Sequence, residues 1–189
     1  MLKRWNDYDN TRVSTTTRPL PTGGYVGKIM GVQMGQYSDG RQCLIVSVDI
    51  TEGDYIGYYT DRYRTDPATE KKWKGNIRLT VPADDGSERD ARDKTTFKSA
   101  MVAVEESNPG YHWDWDETKL KGKAVGFLVR QKEWEFKGST GWSPEIYRLL
   151  SCDDVRQGNF KKIADKPLQA RNIANAAEEI ANAEGDLPF

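Results

Sequence analysis

Residues 124–136 constrain the fold more than any other stretch of the chain. Val125, Phe127 and Val129 alternate with Leu128, Arg130, Lys132, Trp134 and Phe136. A period of two is the spacing of side chains on a β-strand, whose successive residues point to opposite faces. One face is apolar, as a core requires. The other passes from an apolar residue into bases and large aromatic rings.

The same period recurs upstream. Leu44, Val46, Val48 and Ile50 share one face of a strand over residues 43–50, and Ile77, Leu79 and Val81 one face of a strand over 76–81, with Arg78 and Thr80 opposite. Residues 25–34 read as a strand with apolar residues on both faces and two glycines, and Ser38-Asp39-Gly40 as the turn after it. Residues 55–59 read as a short aromatic strand, 60–74 as a loop or short helix ending near Trp73, and 82–94 as a charged loop. Phe97, Ala100, Met101 and Val104 follow helical spacing, with Thr95 or Thr96 as the N-cap and Asn108-Pro109-Gly110 as the stop. Residues 138–141 read as a loop and 145–151 as the last strand.

Strands, one helix, then two more strands is the order of an oligonucleotide/oligosaccharide-binding (OB) barrel, a five-stranded Greek-key barrel with its helix between strands 3 and 4. The fold expected is therefore mainly β and of that type, with another small antiparallel barrel or an α+β sheet as the alternative. An N-terminal arm (1–19) precedes the domain (20–160), and an acidic tail (161–189) follows it. Leu168, Ile173, Ala176, Ala177 and Ile180 suit a weak amphipathic helix, and a disordered Ala/Asn linker suits residues 167–183 equally.

Composition narrows the function. The net charge is −1, but it is unevenly spread. Residues 164–189 hold five acids and two bases, leaving a mildly basic body. That is not the strongly basic footprint of a duplex-DNA binder. No apolar run approaches the roughly 20 residues that span a bilayer. The polar N-terminus lacks the pattern of a secretory leader, so a cytoplasmic protein is expected. Cys43 and Cys152 are far apart and His112 is the single histidine. No metal-ligand spacing, phosphate-cradling loop or nucleophile elbow is present, so neither a cofactor nor catalysis is expected. The acids of Trp113-Asp114-Trp115-Asp116-Glu117 are local to a turn, which suits capping and packing better than a two-metal nuclease. Asp49, Glu52 and Asp54 suit a turn after a strand.

Single-strand binding needs cations along phosphates and flat rings for bases to stack on. Arg130, Lys132, Trp134 and Phe136 supply both on one strand face, with Arg148 on the last strand. Tyr58, Arg62, Tyr63, Arg64, Lys72, Trp73, Lys74 and Arg78 form a second basic-aromatic cluster, and Trp142 is a candidate stacking residue in the following loop. The competing structural readings are an exposed strand with Trp134 packed under a loop, and a solvated loop with Trp73 plugging the barrel end.

The chain closes with Glu184-Gly185-Asp186-Leu187-Pro188-Phe189. This resembles the acidic, Pro-Phe-ended tip of bacterial single-stranded DNA-binding proteins, although that tip is richer in aspartate. The resemblance implies docking of replication or recombination partners through Glu184, Asp186, Leu187, Pro188 and Phe189. The body differs from the bacterial protein. The run Glu106-Ser107-Asn108-Pro109-Gly110-Tyr111, Trp113-Asp114, Leu120-Lys121-Gly122-Lys123 and Val125-Gly126 resembles a family of phage-encoded proteins of low-GC Gram-positive hosts, often labelled single-stranded DNA-binding. That similarity, over about residues 20–160, implies an OB-type fold and a role in phage replication or recombination. The alternatives are an accessory protein working mainly through protein contacts and, more remotely, a metal-dependent nuclease. Homo-oligomerisation is left open.

Overall fold

The computed structural model describes residues 3–4, 6–8 and 19–168. The expected C-terminal tip and residues 169–183 lie outside them. Five strands and three helices follow in the order β1 (Gly23–Gln36), β2 (Gln42–Ile50), α1 (Tyr58–Thr65), β3 (Asn76–Thr80), α2 (Glu88–Ser107), β4 (Ala124–Phe136), β5 (Ser139–Leu150) and α3 (Cys152–Gln157). The strands form one antiparallel sheet in the order β3-β2-β1-β4-β5. Among the described residues no ladder joins β3 to β5, so the sheet is open.

β1 serves both halves of the sheet. Its first part pairs with β4, from Gly23 opposite Val129 to Lys28 opposite Ala124. Its second part pairs with β2, from Gly27 opposite Ile50 to Gln36 opposite Gln42. The register slips between Ile29 and Gly31, which makes Met30 a bulge. Gly27 lies where the three strands crowd together. A Cβ there would stand 2.2 Å from the Asp49 carbonyl oxygen and 2.7 Å from the Phe127 ring.

The alternating residues close one core. Val46, Val48, Val125, Phe127 and Val129 from the sheet pack with Phe97, Ala100, Met101 and Val104 of α2. Burying each large side chain contributes about 1.5–3 kcal/mol. The lower part of β4 is covered on its other face too, which is why Leu128 is buried. There α3 and the chain after it lie so close that a Cβ on Gly24 or Gly126 would collide with Phe160 or Val155. Asn108 ends α2 and ties it to β4. Its Nδ2 donates to the Val104 and Ala124 carbonyls, and its Oδ1 accepts from the Ala124 N–H.

Four sequence expectations are corrected. Among the described residues there are three α-helices, where the sequence places one and allows a short one within 60–74. Residues 58–65, read partly as a strand, are α1, because the buried carboxylate of Asp49 supplies a helix cap from the end of β2. That carboxylate accepts from the N–H groups of Tyr59 (3.0 Å) and Thr60 (3.2 Å) and from the Thr60 hydroxyl. α2 begins two turns earlier than Thr95, at a cap formed by Ser87 Oγ accepting from Asp90 N. Finally, residues 138–141 are not a loop. Lys137 and Gly138, with φ of 49° and 79°, form a tight turn that runs β4 directly into β5.

Cys43 and Cys152 are free and buried. No helix of the described residues is long and apolar enough to cross a membrane.

Candidate functional site

The β4–β5 hairpin sets the geometry of the first candidate face. Its register places Arg130 opposite Glu145, Lys132 opposite Ser143, Trp134 opposite Gly141 and Phe136 opposite Ser139. These residues share a face, with successive members of β4 about 6.7 Å apart. The Trp134 ring lies over Gly141, where a Cβ would come within 2.6 Å of it. Trp134 and Phe136 remain 41% and 66% exposed. Trp142 pairs with Glu133 and therefore sits on the opposite face of the hairpin. The three rings are not one stacking surface.

The cations of this face are partly neutralised. Arg130 donates through Nε to Glu145 Oε2 at 2.8 Å, and Lys132 Nζ stands 3.3 Å from Oε1 of the same carboxylate. Partial burial pushes the Glu145 carboxyl up, but the hydrogen bonds and charges of Arg130 and Lys132 outweigh it and hold it below the usual carboxylate range. Arg130 also lies 4.8 Å from the centre of the Tyr147 ring. Beyond the end of β1, the free edge of β4 is taken by the returning chain. Lys166 N donates to the Gln131 carbonyl at 2.7 Å, and Glu133 N donates to the Lys166 carbonyl at 2.9 Å.

On the far edge of the sheet, Arg78 of β3 is exposed. It faces Tyr37 at the end of the first hairpin, 5.8 Å from the ring centre, while Arg41 approaches the same ring to 5.0 Å. Tyr37 Oη and Thr80 Oγ1 are 3.4 Å apart. Tyr37, Arg41 and Tyr147 are members of the candidate surface that sequence reasoning missed. The available signal was positional: Tyr37 and Arg41 flank the Ser38-Asp39-Gly40 turn, and Tyr147 directly precedes Arg148.

Arg78 and Arg148 are brought together. Both line the cleft between β3 and β5, although they lie 70 positions apart in sequence.

The second sequence cluster gathers around α1, which packs against β2. Tyr58 is only 2% exposed, so its ring offers no face to a base, and its hydroxyl accepts from Arg62 Nη1 at 3.2 Å. Trp73 is half-buried, and its Nε1 donates to the Val48 carbonyl at 3.2 Å. This is the geometry of a plug over the end of β2. Tyr63 is exposed and packs against Trp73 with ring centres 5.9 Å apart. Arg64, Lys72 and Lys74 are exposed around them.

The acids after α2 are engaged locally. Asp114 pairs with Lys119, and Asp116 caps the turn at Thr118. Among the described residues, no group of three or more His, Cys, Asp or Glu side chains is placed to hold a metal ion. Trp115 stands out here: it is 79% exposed, has a φ of 69°, and packs against Trp113 at 6.0 Å.

No protein-family model matches the chain, and no curated protein matches it.

Proposed function

We propose that this chain is a non-catalytic single-stranded DNA-binding protein that protects strands and recruits partners in phage replication or recombination. One observation carries the reading. A tyrosine stands beside a guanidinium group on each flank of the open sheet, Tyr37 at the end of the β1–β2 hairpin with Arg41 and the β3 residue Arg78, and Tyr147 of β5 with Arg130. A ring beside a fixed cation serves a base and its phosphate together, and such stacking tolerates any sequence. Trp134 and Phe136 extend the ring surface along the hairpin.

The architecture supports the same reading. The order β3-β2-β1-β4-β5, with α2 between β3 and β4, is that of an OB-type barrel left open between β3 and β5. On this reading Arg78, Arg148, Lys132, Trp134 and Phe136 contact the strand. Tyr63, Arg64, Lys72 and Lys74 form a separate flank, Trp142 serves the opposite face of the hairpin, and Tyr58, Arg62 and Trp73 support it from within. Glu184, Asp186, Leu187, Pro188 and Phe189 hold the partner.

Titration with oligo(dT) of several lengths, read by tryptophan fluorescence, tests the proposal. Saturable quenching that weakens steeply with salt is expected. Absence of both quenching and a gel shift at low salt overturns it. The exposed Trp115, packed on the half-buried Trp113, favours a second reading, an accessory protein acting mainly through protein contacts. Deleting residues 187–189 separates the two. Strand binding then survives while partner capture fails, whereas an accessory protein shows little strand binding in either form.

A further inference from the structure

We propose that the cleft between β3 and β5 seats a backbone phosphate of the single strand, gripped by Arg78 from one edge of the sheet and Arg148 from the other. This rests on the strand-binding reading above and adds to it a defined anion seat, with the strand bridging the gap where the sheet fails to close.

The lining carries the argument. The cleft has a volume of about 330 Å³ and is bounded by residues of β3, β5 and the middle of α2. No carboxylate lines it. Among the described residues, neither Arg78 nor Arg148 has an acidic partner, whereas Arg41 is held by Asp39, Arg130 by Glu145, and Arg156 by Glu52 and Asp153. Both guanidinium groups therefore face the same hollow, and no acid lines it to compete for them. A guanidinium offers a planar fork of donors that matches phosphate oxygens, and two of them on one phosphate neutralise it without a competing acceptor.

The floor fits the same ligand. Thr95 and Ser99 spend their hydroxyl protons on the Ala91 and Thr95 carbonyls. Thr96 has no such bond among the described residues and keeps a donor for a phosphate oxygen. Tyr147 stands at the β5 side, 43% exposed, where a base next to that phosphate could stack. The competing explanation is that the two arginines only guard bare strand edges against pairing with other chains, a common use of edge charge. That role needs charge on each edge separately, with no coupling between them.

Coupling is therefore what the experiment reads. Oligo(dT) binding at low salt is measured for the full chain and for Arg78→Gln, Arg148→Gln and the double variant, with Lys121→Gln, an exposed cation just before β4 that does not line the cleft, as control. In parallel, inorganic pyrophosphate is titrated while the arginine Nε–H resonances are followed by NMR. Circular dichroism checks that each variant is folded. The proposal expects a loss of about ten-fold in each single variant. The salt-dependence slope should fall by about 0.7, the value for one phosphate contact on a single strand. The double variant should lose little more than either single one, and pyrophosphate should shift the Arg78 and Arg148 signals together and saturably. If the chain binds oligo(dT) and both arginine variants bind within two-fold of Lys121→Gln, or if their losses simply multiply, the seat is refuted while strand binding stands. If the chain binds no oligo(dT) at all, the strand-binding reading fails and the seat for a strand phosphate falls with it, whatever pyrophosphate does.

Discussion

Arg130 and Glu145 face each other across β4 and β5 with Nη2 2.7 Å from Oε2, and the same carboxylate reaches Lys132. Two of the bases on the hairpin face are thus held by one acid. Glu145→Gln should release both and tighten oligo(dT) binding several-fold at low salt. The logarithmic salt slope should steepen by about 0.7 for each cation released onto a phosphate. Fluorescence titrations at two or more salt concentrations measure both. The wild-type chain should approach the variant in acid. A carboxyl held below its ordinary value stays ionised and keeps both cations until pH falls through that lowered value, so the two affinities should converge only below the usual carboxylate range. Equal affinities at neutral pH would show that Glu145 does not restrain these cations.

Trp134 and Phe136 protrude from the same face and support little else. Trp134→Ala should weaken oligo(dT) binding by about 1–3 kcal/mol, the usual contribution of one stacked base, and remove much of the fluorescence quenching. The urea midpoint should move little. Trp142→Ala, on the other face, should cost distinctly less. A larger loss from Trp142 than from Trp134 would place the strand on the wrong side of the hairpin.

Asp49 is 5% exposed and joins the end of β2 to the start of α1. Asp49→Ala leaves buried N–H groups of Ile50 and Tyr59 without their acceptor. A loss of about 1–3 kcal/mol in urea denaturation is expected. Asp49→Asn, which retains an oxygen acceptor, should lose less. Neither change should abolish strand binding at a temperature where the variant is folded. If Mg²⁺-dependent strand cleavage appeared in the wild type and vanished in Asp49→Ala, Asp49 would be a catalytic group instead.

Gly27→Ala forces a methyl group against the Asp49 carbonyl at the crossing of β1, β2 and β4. Backbone cannot yield as a flexible side chain does, so a loss of about 3 kcal/mol or more is expected. Gly23→Ala, with nothing within 4 Å of the added carbon, serves as control and should melt close to the wild type.

The strands were legible because burial imposes a period of two, and β4 was read with the bounds it has. What was missed depended on partners distant in sequence. The aromatic run over residues 55–59 has strand-like composition, and only the remote Asp49 carboxylate makes its end a helix start. The first turns of α2 look like a charged loop because just one side chain there, Asp90, is buried. The Ser87 cap three residues before Asp90 was the legible sign. At the site, residue types were visible and their assignments were not. The sequence could not show that Glu145 occupies Arg130, that Trp134 and Trp142 part to opposite faces, or that Arg78 and Arg148 meet in one cleft. The first two follow from the β4–β5 register, which the Lys137-Gly138 turn fixes, and the third from the packing of the unpaired strands β3 and β5 beside α2.

Gly27 and Lys28 are the residues of β1 paired to strands on both sides, and the bulge at Met30 follows one residue later, after Ile29. The sheet is thus two wings meeting along a very short seam. With no ladder between β3 and β5, the gap between the wings is set by packing on α2 and by the stiffness of that seam. A ligand touching both outer edges would work against this compliance, so changes at the seam would alter affinity and dissociation rate without touching any residue that meets the ligand.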